Sequence, residues 1–157
     1  MSKDLKKMPE AELKKEIRNF LETRKILVLC TASKEGIPRA SPMDFYIDKE
    51  SDEFNIFITP APGSKTRNME ENPNISIGIY TPLDTGKVQG MQITCSSTAL
   101  GEDRMVWITE GDVFDRLQKV ALGKRKRFLK IIPQRIEILD YSYRKKGYST
   151  MQILDLK

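Results

Sequence analysis

Between residues 26 and 156 the chain breaks into short apolar runs separated by hairpin-length turns, and no other feature of the sequence narrows the choice of fold as far. Ile26-Leu27-Val28-Leu29-Cys30-Thr31-Ala32 is apolar, partly β-branched and closed by Lys34-Glu35-Gly36, which predicts a buried first strand. A second strand is expected over 37–46. Pro38 and Pro42 each lack an N–H, so that strand needs an edge, a bulge or a ligand where a ladder partner would lie. The polar turn Asp48-Lys49-Glu50-Ser51-Asp52 would join it in a hairpin to a third strand at Phe54-Asn55-Ile56-Phe57-Ile58-Thr59. Ile75-Ser76-Ile77-Gly78-Ile79-Tyr80 alternates as a fourth strand. A long fifth strand over 88–100 interleaves Gln, Thr and Ser with Met91, Ile93 and Cys95, which implies one wet or ligand-lined face. Two final strands are expected over 128–139, interrupted by Pro133, and over 148–156, with Arg144-Lys145-Lys146-Gly147 as the turn. So many strands in succession, joined mostly by short turns, argue a closed antiparallel barrel with helices packed outside, of class α+β.

The helical signals are fewer. Pro9 stands at a first helical position, and Leu13, Ile17, Phe20 and Leu21 follow on one face, predicting an amphipathic helix within residues 1–24 that packs outside the barrel. A short helix is expected from Ser64 as N-cap to just before Asn72-Pro73. Asp112 can cap a third helix carrying Val113, Leu117, Val120 and Ala121, with Gly123 as its C′ residue. At 157 residues the chain suits one domain, 1–157, with enough buried surface for one core. Apolar residues at 39% and charged residues at 31% place it among neither disordered chains nor coiled coils. No apolar stretch approaches the ~20 residues that span a bilayer, and the charged start lacks an apolar segment behind it, so a cytoplasmic protein is expected.

Histidine is absent, which excludes Ser-His-Asp and Cys-His mechanisms, histidine-ligated zinc and proximal-histidine haem. Cys30 and Cys95 lie far apart in strand-like runs and read as buried free thiols, with no metal site implied. Lys and Arg number 27 against 22 Asp and Glu, giving +5, a balance that favours anionic partners such as phosphorylated cofactors or nucleic acids.

The sharpest local anomaly is Gly63-Ser64-Lys65-Thr66-Arg67, where two cations occupy the first turn of a helix whose macrodipole already presents about +0.5 charge there. Either these side chains are simply solvated, or they converge with Ser64, Thr66 and free N–H groups on a phosphate. Gly36-Ile37-Pro38, Ser41-Pro42, Phe57-Ile58-Thr59 and Ser64-Lys65-Thr66-Arg67-Asn68-Met69-Glu70-Glu71-Asn72-Pro73 resemble, in order and spacing, the split-barrel flavin-binding family related to pyridoxamine 5′-phosphate oxidase. Gln92-Ile93-Thr94-Cys95-Ser96-Ser97 and Ile132-Pro133-Gln134-Arg135-Ile136-Glu137 are similar to its later strands, so the resemblance covers most of the chain from Lys25 onward.

The resemblance implies an antiparallel split β-barrel, a homodimer with FMN between subunits, and oxidoreductase activity on a small molecule. By the same resemblance Ser64, Lys65, Thr66 and Arg67 take the FMN phosphate, Ser41, Pro42 and Met43 meet the ring edge, and Thr59 and Pro60 lie beside the ribityl chain. Gln92, with Thr94, Ser96 and Ser97, would face the subunit junction. Flavin carries the redox chemistry in its own ring, so the missing histidine is no obstacle.

The chain also departs from the family pattern. The oxidase has an arginine where this chain has Ser41, and its C-terminal Arg and His motif has no counterpart in a histidine-free chain, which argues against vitamin B6 oxidation. A glycine common in the fifth strand is Cys95 here. Two other readings stand beside FMN: a deazaflavin-dependent reductase on the same fold, and a basic nucleic-acid-binding barrel using Lys124-Arg125-Lys126-Arg127. A four-residue basic run without interleaved aromatics is more often a solvated surface than a nucleic-acid footprint. Trp107, the single tryptophan, reads as core or interface filling.

Overall fold

Leu13, Ile17, Phe20 and Leu21 form the buried stripe of helix α1 (Glu10–Glu22), with Pro9 in the flanking cap position. The structure is a computed structural model that describes residues 5–82 and 86–156. Hydrogen bonds from the Met8 N–H to Gln152 Oε1 (2.9 Å) and from the Tyr148 hydroxyl to Glu12 (2.8 Å) tie α1 and the residues before it to the C-terminal region.

The strands are β1 (Ile26–Ala32), β2 (Pro38–Asp44), β3 (Ile56–Ile58), β4 (Asn74–Tyr80), β5 (Gln89–Ser96), β6 (Met105–Ile108), β7 (Phe128–Ile131), β8 (Arg135–Asp140) and β9 (Met151–Asp155). Helix α2 (Ser64–Glu71) follows β3, α3 (Asp112–Val120) follows β6, and a 3-10 helix (Tyr141–Lys146) precedes β9. Hydrogen bonding sorts the strands into two antiparallel sheets, β2-β1-β4-β5-β8-β9 and β3-β7-β6. This confirms the mixed class with antiparallel sheets but departs from a barrel closed by hydrogen bonds. Tyr46 and Phe57 form an isolated bridge that carries the line of β2 towards β3, and Pro133 interrupts the passage from β7 to β8.

The principal core lies between the two sheets, where Leu29, Ile77 and Ile93 from one meet Ile58, Leu129 and Ile131 from the other. A smaller cluster of Phe57, Leu117 and Phe128 lies where α3 covers the opposite side of the three-stranded sheet. Each position within these clusters removes apolar surface from water at roughly 25 cal/mol per Å².

Several expected boundaries move for visible reasons. The fifth strand stops at Ser96 because the Ser97 hydroxyl bonds the Ala99 and Glu102 carbonyls, forming a turn completed by Gly101 (φ 91°). That turn releases β6, which the sequence reading did not separate. β3 pairs with β7 on one edge and joins the second strand in the expected hairpin only through the Tyr46–Phe57 bridge; Asp48, in the turn between them, also holds Arg116 of α3, whose Nε and terminal nitrogen donate to its carboxylate at 3.0 and 2.8 Å. In α3 only Leu117 is fully buried and Val120 is exposed; the helix ends with Ala121 extended, so Gly123 (φ 79°) turns the loop beyond rather than closing the helix.

The paired guanidinium holds the Asp48 carboxyl below its ordinary range, outweighing the opposing effect of burial. A lowered folded pKa means that this pair stabilises the fold fully above the ordinary carboxylate pKa, and that the contribution fades as pH falls through the lower folded value. Urea midpoints measured from pH 7 down to 3 should therefore fall more steeply for the native chain than for Asp48→Asn, which lacks the titrating group. Parallel curves would remove Asp48 from the acid response.

Candidate functional site

Gly63 starts α2 from φ 155°, ψ −156°, a conformation open to glycine, and no side chain caps the helix. Its first internal hydrogen bond runs from the Arg67 N–H to the Gly63 carbonyl at 3.0 Å, which leaves the N–H groups of Ser64, Lys65 and Thr66 free of helix partners. No acidic residue stands in this turn. Lys65 is half-buried and Arg67 exposed, and among the described residues neither side chain is paired. Ser64, expected as the cap, is instead the first helical residue and is exposed. Thr66 is buried and donates its hydroxyl to the Ala61 carbonyl at 2.9 Å, so it shapes the loop rather than presenting a donor.

Met69, fully buried, roots α2 in the core, while Asn68 donates to the Thr31 hydroxyl (3.1 Å) and Asn72 to the Ser33 carbonyl (3.2 Å). These two bonds fasten α2 to the end of β1. Thr31 is in register with Arg39 on β2, so an exposed third cation sits one strand from the residue that α2 grips. Sequence reasoning missed Arg39 as a candidate. Counting outward from the turn at Glu35 pairs Thr31 with Arg39 and would have found it.

The prolines of β2 are explained by its place at the end of the six-stranded sheet. The Phe45 N–H bonds inward to the Lys25 carbonyl (3.0 Å), and Tyr46 bonds outward to Phe57. Backbone groups alternate sides along a strand, so odd-numbered residues serve the β1 ladder while Pro38, Ala40, Pro42 and Asp44 turn theirs to the free edge. Neither proline costs a ladder bond. Ala40, lying between them, presents an N–H and a carbonyl on that edge. The side chains of Ser41 and Met43 share the face of their partners Leu29 and Leu27, with Met43 packed on the core, whereas Pro42 lies on the opposite face beside Val28. Thr59 is half-exposed and Pro60 buried, in the stretch that leads from β3 to α2.

Gln92 lies elsewhere. It alternates with Thr94 and Ser96 on the outward face of β5, as the sequence pattern implied, in a transverse row Pro42, Val28, Gly78, Gln92 and Glu137. Three strand spacings of ~4.8 Å separate Gln92 from β2, so one chain does not bring it to the other candidates. Ser97 is not on this face, since its hydroxyl belongs to the turn after β5. Around Gln92 the outward face is largely apolar, and Ile26, Tyr80, Met151 and Ile153 are exposed on it.

Cys95 points inward, and burial pushes its thiol up to about 11. Cys30, half-buried, lies on the outward face. In native protein at pH 8 a chromogenic disulfide reagent should leave Cys95 unreacted until the chain unfolds; rapid reaction of both thiols in native protein would contradict the burial of Cys95. The basic run is partly engaged as well: Arg125 approaches Asp44 at 3.8 Å, and Arg127 lies over the Trp107 ring at 3.6 Å.

An uncapped, cationic helix start fastened to the end of β1, on two packed antiparallel sheets with a proline-bearing edge strand, marks a small β-rich protein. The family model for pyridoxamine 5′-phosphate oxidase matches residues 13–140, and the chain belongs to that family. No curated protein matches it. Among solved structures it is similar to general stress protein 26 from Bacillus anthracis str. Sterne, with 17% identity over 92% of this chain and 99% of that one and a TM-score of 0.62. It is also similar to the FAD binding protein from Mycobacterium smegmatis, at 10% identity over 85% and 98% of the two chains and a TM-score of 0.55. A heme binding protein from the same organism shares 16% identity over 94% of this chain and 59% of that one, with a TM-score of 0.56. At these identities the likeness speaks for the fold. Among the described residues no helix is long and apolar enough to cross a membrane.

Proposed function

We propose that this protein binds FMN at the junction of a homodimer and acts as a flavin-dependent oxidoreductase on a small molecule. The observation that carries the reading is the first turn of α2, where Lys65, Arg67 and three free N–H groups form a donor set without an acceptor. That set matches a phosphate in charge and in hydrogen-bond count. Ser64 can add a hydroxyl, Arg39 a further cation, and the free edge of β2 offers the Ala40 N–H and the Ala40 and Pro42 carbonyls to a flat heterocycle, with Ser41 and Met43 beside them. Thr59 and Pro60, on the stretch that leads from β3 into α2, would flank the ribityl chain. When bound, the flavin ring would accept and release the electrons, and the protein's part would be to hold the phosphate, orient the ring and exclude water.

Gln92 enters this reading through a second copy. Its distance from β2 within one chain, together with the apolar outward face around it, supports a twofold partner that brings each Gln92 to the other subunit's cofactor. A cytoplasmic setting fits such a protein. Haem is the second reading that the family's range brings in, and the absence of histidine weighs against a histidine-ligated form. The absorption spectrum of freshly purified protein, followed by titration of apoprotein with FMN, tests the proposal. A flavin spectrum or saturable quenching of FMN fluorescence is expected. A Soret band, or a thermal shift with RNA but none with FMN, would overturn it.

A further inference from the structure

Cations from three distant parts of the chain are gathered along the 3-10 helix Tyr141–Lys146, which itself carries Arg144, Lys145 and Lys146 in its last turn. At the end of that helix the Lys6 N–H donates to the Gly147 carbonyl and the Ser149 N–H to the Lys6 carbonyl, each at 3.1 Å, so Lys6 and Lys7 run alongside. At its start the Tyr141 N–H donates to the Val88 carbonyl at 3.3 Å, which brings in Lys87.

The acids around this stripe are already engaged. Glu12 accepts from the Tyr148 hydroxyl (2.8 Å), Glu16 accepts from the Tyr143 hydroxyl (3.4 Å) and approaches Lys146 (3.9 Å), and Glu10 holds Lys14 (3.1 Å). Asp140 accepts from Ser142 and Gln89. Lys6, Lys7, Lys87, Arg144 and Lys145 are exposed and, among the described residues, unpaired. The fold therefore concentrates like charges along one line and leaves them without a counter-charge, which a chain of phosphates would supply.

An aromatic ring stands in the same line. Side chains three apart eclipse on a 3-10 helix, so Tyr141, 58% exposed, shares a side with Arg144. An exposed ring flanked by cations suits the stacking of an unpaired base. Leu5 and Val88, the aliphatic neighbours of Lys6 and Lys87, are each only 37% exposed, so the stripe lacks the apolar wedge that a membrane-surface site needs.

We propose that this stripe binds single-stranded nucleic acid, its phosphates held by Lys6, Lys7, Lys87, Arg144 and Lys145 and one base stacked on Tyr141. The surface is separate from the Lys124–Arg127 run and from the residues assigned to the flavin, and the inference does not depend on the flavin reading.

Fluorescence anisotropy of a labelled thymidine dodecamer, titrated at several salt concentrations with the full chain, tests it. The double variant Lys6→Ala, Lys145→Ala should bind at least tenfold more weakly at low salt and lower the slope of log affinity against log salt by about 1.4, since each phosphate contact on a single strand contributes about 0.7. Tyr141→Ala should weaken the dodecamer at least fivefold and leave heparin, which has no bases, unchanged, while Tyr141→Phe keeps the native affinity. All these positions are exposed, so thermal midpoints should stay at the native value. Unaltered binding by the double variant, or a loss seen instead in Lys124→Ala, Lys126→Ala, overturns the proposal. So does a Tyr141→Ala chain that binds the dodecamer as the native one does, because the stripe would then be a site for any polyanion. Capture by phosphatidylserine vesicles without dodecamer binding overturns it in favour of a lipid surface. Saturating FMN should not displace the dodecamer, and Lys65→Ala should bind it normally, so failure here is distinguishable from failure of the flavin titration.

Discussion

Lys65→Ala is expected to weaken FMN binding by one to two orders of magnitude while leaving riboflavin, which lacks the phosphate, almost unchanged. A charge-assisted contact of this kind contributes ~1.5–3 kcal/mol, and among the described residues Lys65 has no partner whose loss could blur the comparison. The difference between the two ligands is the diagnostic quantity. Equal losses for both would mean that Lys65 acts on the position of α2 instead. Arg39→Ala, tested in the same fluorescence titration, should follow the same pattern with a smaller loss, because Arg39 is exposed and stands on the neighbouring strand in register with Thr31.

Gly78→Arg is expected to abolish the dimer and leave the monomer folded. Gly78 lies in the outward row of the six-stranded sheet between Val28 and Gln92, and a Cβ built there meets no atom within 4 Å. Its backbone is ordinary strand, so the monomer loses nothing by the substitution, and replacing a strand-interior glycine removes a source of weakness. A flat twofold partner, by contrast, would meet a long charged side chain near the middle of its contact. Sedimentation velocity should then report monomer with an unaltered thermal midpoint, and FMN affinity should fall with the dimer. A protein that remains dimeric and keeps its FMN affinity would show that this face is not the junction. A native chain that is monomeric and binds FMN fully at dilution would remove the shared site altogether.

Much of the local structure was legible because local physics specifies it. The buried stripe of α1 follows from apolar spacing alone, and β1 and β4 appear almost where alternation and turn residues place them. The cation-bearing start of α2 was visible as a broken rule of helix electrostatics, two positive charges where negative ones are favoured. The prolines of β2 were visible as an anomaly with three possible explanations. Illegible were the features set by partners distant in the chain. Thr66 looked like a phosphate donor because its loop contact with Ala61 has no sequence signature. Arg39 was passed over because its value lies in a cross-strand neighbour rather than in its own surroundings.

What the sequence determined by itself, then, is most of the strands and the three α-helices, the absence of histidine chemistry, and a cation-bearing helix start at Gly63 to Arg67, since each depends on residues within a few positions of one another. The tertiary structure decided that β3 pairs along one edge with β7 and keeps only the Tyr46–Phe57 bridge of its hairpin with the second strand, that both prolines turn to a free edge, and that Gln92 stands three strands from β2. Those outcomes depend on competition between long-range pairings. Asp48 is captured by Arg116, 68 residues away, and the ladder order places β1 rather than β3 beside β4. Such choices are settled by burial and hydrogen bonding summed over the whole core, a sum that no local window of sequence contains.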